Sequence, residues 1–150
     1  MPSLDNMMLR QIIMDHYENP RNHELVEDDS YKKVNMDSET CIDNIDIQAK
    51  IENGVIEDIR FDGEACAICT SSTSIMTELL IGKTIDEARV IIENYMNMIF
   101  EKDYDPEILE EAIAFYNTHK QANRIKCATL GWKGITQLID ESEKEDTHGK

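Results

Sequence analysis

Residues 45–51 read Ile-Asp-Ile-Gln-Ala-Lys-Ile, an unbroken apolar-polar alternation, and Asn53-Gly54 follows directly. A period of two puts alternate side chains on opposite faces of an extended strand. Asn-Gly is the residue pair that a tight hairpin turn favours, because both positions need positive φ. The segment is therefore predicted to be one arm of an antiparallel hairpin. Val55 to Phe61 supplies the return strand, less cleanly alternating because Glu57 falls on the side of Val55, Ile59 and Phe61. A shorter strand is expected over Tyr31 to Met36.

Around this hairpin the period changes to that of helices. Leu9, Ile12, Ile13, His16 and Tyr17 recur at helical spacing until Asn19-Pro20, which ends the run. After Asp62-Gly63 a helix is predicted over 70–81, with Ile75, Met76, Leu79 and Leu80 as its stripe and Gly82 as its stop. Thr84 and Glu87 form a capping box ahead of Ala88, Ile91, Ile92, Tyr95 and Ile99. Asp105-Pro106 announces a further helix with Ile108, Leu109, Ala112, Ile113 and Tyr116 on one face. A last helix is expected over 127–139, weakened by about 1 kcal/mol for each of Gly131 and Gly134. Strands first and helices afterwards predict an α+β domain, a small three-stranded antiparallel sheet with helices packed on one face. The reading assigns residues 1–139 to a single domain and 140–150, rich in Asp, Glu and Lys, to a charged flexible tail.

A formal net charge of −16 opposes a phosphate-binding surface and attraction to anionic membranes, so neither nucleic acid nor a membrane is expected as a partner. The chain opens without a charged segment leading into an apolar run, and no stretch reaches the ~20 apolar residues of a membrane span. A cytoplasmic location is expected. There, four cysteines stay reduced and point to metal binding or thiol chemistry rather than a disulfide framework.

Cys41 and Asp43 stand two apart at the mouth of the strongest strand, so in extended backbone they point the same way. The hairpin carries the far end of the return strand, and Cys66 with it, back to the same sheet edge. Cys127 lies much later, but a helix packed over that edge could supply it. Three thiolates and a carboxylate form an acceptable tetrahedral zinc set, and the hard oxygen among soft sulfurs suits a site where ligands exchange. Zinc keeps thiols as thiolates at neutral pH and masks them until a ligand leaves. From spacing alone, four unrelated buried thiols remain an alternative. Cys66-Ala67-Ile68-Cys69 also has the spacing of a redox pair, although a hairpin rather than a βαβ unit precedes it. His16, His23, His119 and His148 show no spacing that builds a second metal site, and Trp132 is expected as a core anchor.

The segments IMDHYENPRN (13–22), TCID (40–43), FDGEAC (61–66), STSIMT (72–77) and RIKCATLGWK (124–133), in this order and context, resemble the IscU/NifU-type family of iron-sulfur cluster assembly proteins, particularly its SufU-like branch. The resemblance runs from about Leu4 to Ile139 and implies a SufE/NifU-like fold. It further implies a zinc ion on Cys41, Asp43, Cys66 and Cys127, with Cys41 accepting persulfide sulfur from a SufS-like cysteine desulfurase, and Arg124 pairing with Asp43 or steadying the sulfur anion. The downstream partners implied are an iron-sulfur scaffold or apo-protein acceptors. The chain then acts as a zinc-dependent, sulfurtransferase-like carrier rather than a conventional enzyme.

Scaffold members of the family, which build a [2Fe-2S] cluster, carry a histidine before the last cysteine and an LPPVK-like motif. This chain has Lys126 there and lacks that motif, while residues 99–121 match the length of the insertion in the transfer branch. Ile42, Ala65 and Glu39 stand where the family has Gly, Gly and Pro, and Phe-Pro is missing before Ala122. Ile42 is stiff where Gly would move freely. Two alternatives therefore stay beside sulfur transfer: a scaffold using Fe2+ or a transient [2Fe-2S] cluster, and a zinc-stabilised adaptor without sulfur chemistry.

Overall fold

The computed structural model of the chain describes residues 6–38 and 42–148. Its elements run α1 (Asn6–Glu18), β1 (Lys32–Asp37), β2 (Asn44–Glu52), β3 (Val55–Glu64), α2 (Ala67–Leu80), α3 (Ile85–Ile99), a 3-10 segment (Pro106–Phe115) and α4 (Ala122–His148). The three strands form one antiparallel sheet in the order β1-β2-β3, as the alternation predicts. Asn53 and Gly54 both have positive φ, 54° and 74°, which is the turn chemistry that closes β2 onto β3.

The irregular alternation of β3 has a physical cause. Lys50 pairs with Asp58, but the next residue, Ile51, pairs with Ile56, so Glu57 is an extra residue in a β-bulge. The bulge reverses which face each side chain takes. Ile56, Ile59 and Phe61 are all buried while Glu57 is exposed. The outer edge of β3 is closed too: Asn22 O accepts the Phe61 N–H at 3.1 Å, and Gly82 N–H donates to Ile56 O at 2.7 Å. An edge covered in this way offers no template for another strand.

The core-facing residues Ile45, Ile47 and Ala49 of β2 pack under α4, while β3 meets α2. α2 is buried almost all round, from Cys69 to Leu80 apart from Glu78, and small Ser and Thr side chains let its neighbours approach. It starts at Ala67, one turn before the expected position, because Cys66 caps it. α3 begins with the predicted capping box, Thr84 and Glu87 satisfying each other's backbone N–H groups.

Three expectations are corrected. The segment after Asp105-Pro106 is not an α-helix but two 3-10 turns broken at Glu110 (φ 46°, ψ −123°), so its buried residues are Leu109, Ala112, Ala114 and Phe115 while Tyr116 is exposed. The glycines of α4 are packing devices. A Cβ on Gly131 would sit 2.4 Å from Thr73 Oγ1 and one on Gly134 2.5 Å from Ile47 Cδ1, so they let α4 press onto α2 and β2. Finally, α4 continues through the acidic segment expected to be a flexible tail as far as His148, where Arg89 pairs with Asp140 at 2.9 Å and with Glu143. Among the described residues, no helix is long and apolar enough to cross a membrane.

Candidate metal centre

The β1–β2 connection and the N-terminal end of α2 form the walls of the site. Ser38 N–H donates to Asp43 O at 2.9 Å, closing the connection just before β2. This turns Asp43 inward, and the residue is fully buried. Its Oδ1 accepts the Cys66 N–H at 2.7 Å, leaving Oδ2 3.8 Å from Cys66 Sγ. Cys66 follows β3 directly and acts as N-cap of α2, its sulfur accepting the Cys69 N–H at 3.4 Å. Cys127 projects from the second turn of α4, nearly buried, with Asn123 O 3.6 Å from its sulfur.

Ligand atoms of Asp43, Cys66 and Cys127 all lie within 4.8 Å of one another. Tetrahedral zinc, with Zn–S near 2.3 Å and Zn–O near 2.0 Å, sets sulfur–sulfur and sulfur–oxygen spacings of roughly 3.5–3.8 Å. The Cys66–Asp43 separation already has that value, and the full set reaches it with a small contraction. The donors fit the ion chemically as well. A fully buried carboxylate beside two thiols lacks a compensating positive charge among the described residues, and a divalent cation supplies one.

Of the predicted site residues, Asp43, Cys66 and Cys127 are thus brought together. Cys41 lies outside the described residues. Arg124 occupies the first turn of α4, exposed, and lines a groove of about 470 Å³ with Arg10, Ala67, Ile68, Tyr116 and others. Among the described residues it makes no ion pair with Asp43. Cys69 is fully buried one turn into α2, which matches a packed residue better than an accessible redox partner. Behind the site, Trp132 is fully buried, stacks on Tyr95 at 3.9 Å and donates its Nε1–H to Ser72 Oγ at 3.0 Å.

The structure also gathers a group the sequence did not reveal. His16, Glu78 and Glu111 come from three separate elements, with ligand atoms within 4.8 Å of one another. His16 stands in the apolar stripe of α1, the one signal of its burial. Nothing in the linear spacing connects it to a glutamate 95 positions away.

Comparisons with known proteins agree with this architecture. A profile of the NifU-like N terminal domain matches residues 8–146. The zinc-dependent sulfurtransferase SufU of Bacillus subtilis strain 168 is 38% identical over 137 residues, 91% of this chain and 92% of the relative. The iron-sulfur cluster assembly scaffold protein IscU of Streptococcus pyogenes serotype M1 is 32% identical over 138 residues, 91% of this chain and 86% of the relative. Among solved structures, a candidate iron-sulfur cluster assembly scaffold protein for the SUF system from Fervidobacterium islandicum AW-1 superposes with a TM-score of 0.79 at 30% identity, covering 86% of this chain and 94% of that one. With a match over nearly its whole length, the chain belongs to the NifU-like N-terminal domain family.

Proposed function

We propose that this protein works in iron-sulfur cluster assembly as a zinc-binding acceptor of persulfide sulfur from a SufS-like cysteine desulfurase. The observation that carries the reading is the convergence of Asp43 from the β1–β2 connection, Cys66 from the cap of α2 and Cys127 from α4 on one largely buried point. The near full-length similarity to a zinc-dependent sulfurtransferase supports the sulfur chemistry. Cys41 is two positions from Asp43 in sequence, a span of at most about 7 Å between α-carbons, and completes a four-ligand set. Zinc, when bound, holds these cysteines as thiolates.

The roles divide as follows. Asp43 is fixed by the Cys66 N–H and Cys66 by the end of α2, so both are held in place whichever ligand leaves. Cys41 is the acceptor: its thiolate attacks the outer sulfur of the desulfurase persulfide, the S–S bond breaks, and the desulfurase thiolate leaves. One S–S bond forms as another breaks, so no external oxidant is needed. Arg124, exposed beside the site, acts as a positioning charge for the transferred sulfur or for the partner. The sulfur then passes to a scaffold or an apo-protein. A cytoplasmic setting, in which free thiols stay reduced, suits each step.

The test is incubation of wild type and Cys41→Ala with a cognate desulfurase and cysteine, read by mass spectrometry. Persulfide on Cys41, lost in the variant, is expected. Labelling that spares Cys41 while zinc is retained would leave the adaptor reading standing instead. Similarity to the Streptococcus scaffold protein favours a second reading, assembly of a [2Fe-2S] cluster. A stable brown form on anaerobic reconstitution would support it. Lys126, exposed directly before Cys127, argues against it, since ammonium is no iron ligand.

A further inference from the structure

We infer that His16, Glu78 and Glu111 form a second cation site, specific for a divalent first-row ion in a nitrogen-oxygen environment and separate from the thiol centre. The two are far enough apart to bind independently. Cys66 and Glu78 are twelve positions apart along α2, on the order of 18 Å of helix axis.

This is not a surface cluster of acids. The ring of His16 is fully buried, and its two nitrogens have different jobs. Nδ1 lies 2.8 Å from Ser74 Oγ, which also accepts the Arg21 backbone N–H at 2.9 Å and is thereby fixed. Nε2 points away from that anchor, 3.1 Å from Glu111 Oε1 and 3.7 Å from Glu78 Oε1. An imidazole fixed through one nitrogen and presented through the other to an ion is the usual arrangement of histidine ligands. With an ion on Nε2, an Nδ1–H is in place to donate to Ser74 Oγ, 2.8 Å away.

The two carboxylates are half exposed and open onto a cavity of about 260 Å³ lined by Ile75, Glu78, Leu79, Leu109, Glu110 and Glu111. That gives an ion both an entry and room for water ligands. The local charge favours a cation. Arg21 is the nearby cation, and its guanidinium is committed to Asp15 at 2.7 Å, with Glu78 Oε1 a further 3.7 Å away. Glu111 faces His16 Nε2, and Glu110 adds a further carboxylate to the cavity lining. One imidazole and two carboxylates match Mn2+, Fe2+ or Zn2+ and lack the thiolates that direct zinc to the other site.

Mn2+ is the probe that separates the sites, because the thiolate centre can first be filled with zinc. Zinc-loaded full-length protein is titrated with Mn2+ and followed by electron paramagnetic resonance and by NMR of the histidine ring protons. The expected result is one saturable Mn2+, broadening of the His16 ring signals well before those of His23 and His119, and loss of affinity by more than about tenfold in E78Q/E111Q. Both glutamates are half exposed, so that variant should fold and keep its zinc, which its zinc content and thermal melt verify. If His16 broadens no sooner than the other histidines, or if E78Q/E111Q binds Mn2+ as tightly as wild type, the site does not exist. The broadening arm needs no variant and stands even if E78Q/E111Q fails to fold.

Discussion

At the N-terminal end of α2, Asp43 and Cys127 are buried and Cys66 is half-buried, with Asp43 and Cys66 held by backbone N–H groups. Three turns further along the same helix, a buried His16 faces two carboxylates that remain half in water. The first end is soft and nearly dry, the second hard and wet. Between them lies a zone of small residues, Ser71 to Ser74, over which α4 packs and where Ser72 bonds to Tyr95, Trp132 and Ala128 O. One helix can thus present two donor sets of different chemistry, because the rigid middle keeps them apart.

The largest effect is expected at the dry end. Asp43→Ala or Cys127→Ser should abolish stoichiometric zinc and remove the metal-linked part of the stability, which for structural zinc is of order 10 kcal/mol of binding free energy. Zinc content and the melting temperature with and without chelator check this. If either variant keeps its zinc, the two ends do not differ as described. Next comes the middle. Ser72→Ala leaves the Trp132 indole N–H buried without its acceptor and should cost about 1–3 kcal/mol in denaturant unfolding, with no change in zinc content.

Gly131→Ala is expected to cost less, about 1 kcal/mol net. Overpacking against Thr73 is offset by the better helix propensity of alanine. Thr73→Ala in the same chain should recover part of the loss, and strict additivity of the two would mean that the close contact is not the cause. At the wet end, Glu78→Gln and Glu111→Gln in metal-free buffer should each move stability by no more than about 0.5 kcal/mol.

The smallest effect is one of pH. The Arg21 hydrogen bond holds the Asp15 carboxyl below its ordinary value of 3.8. Its stabilisation is present above that value and disappears as pH falls through the lower folded one. Asp15→Asn should therefore lower stability slightly at neutral pH and leave it unchanged at the acid end, flattening the acid limb of the unfolding curve.

The sheet was legible because period-two alternation and Asn-Gly chemistry are local signals, and the topology they imply already carried Cys66 back to the edge where Asp43 stands. The bulge at Glu57 was visible only as a fault in the pattern; its meaning depends on the partner strand. Residues 106–115 were misjudged because Asp-Pro and an apolar face announce a helix equally well whether it is α or 3-10, and the break at Glu110 has no residue signature. The acidic segment after Ile139 looked like a solvated tail because its order comes from Arg89, a residue on another helix. Gly131 and Gly134 had been charged with weakening a helix whose packing they permit. Arg124 is exposed and, among the described residues, makes no ion pair with Asp43, since sequence proximity to Cys127 does not say which way the side chain turns. His16 with Glu78 and Glu111 was invisible, since three helical segments must assemble before they meet.

The central claim is that soft and hard donors share one ion at the sheet edge. Zinc K-edge X-ray absorption on the purified protein tests it most directly. The account predicts about three sulfurs near 2.3 Å and one oxygen near 2.0 Å, falling to two sulfurs in Cys127→Ser if that variant is reloaded with excess zinc. A shell of nitrogen and oxygen alone, or one that Cys127→Ser leaves unchanged, would contradict it.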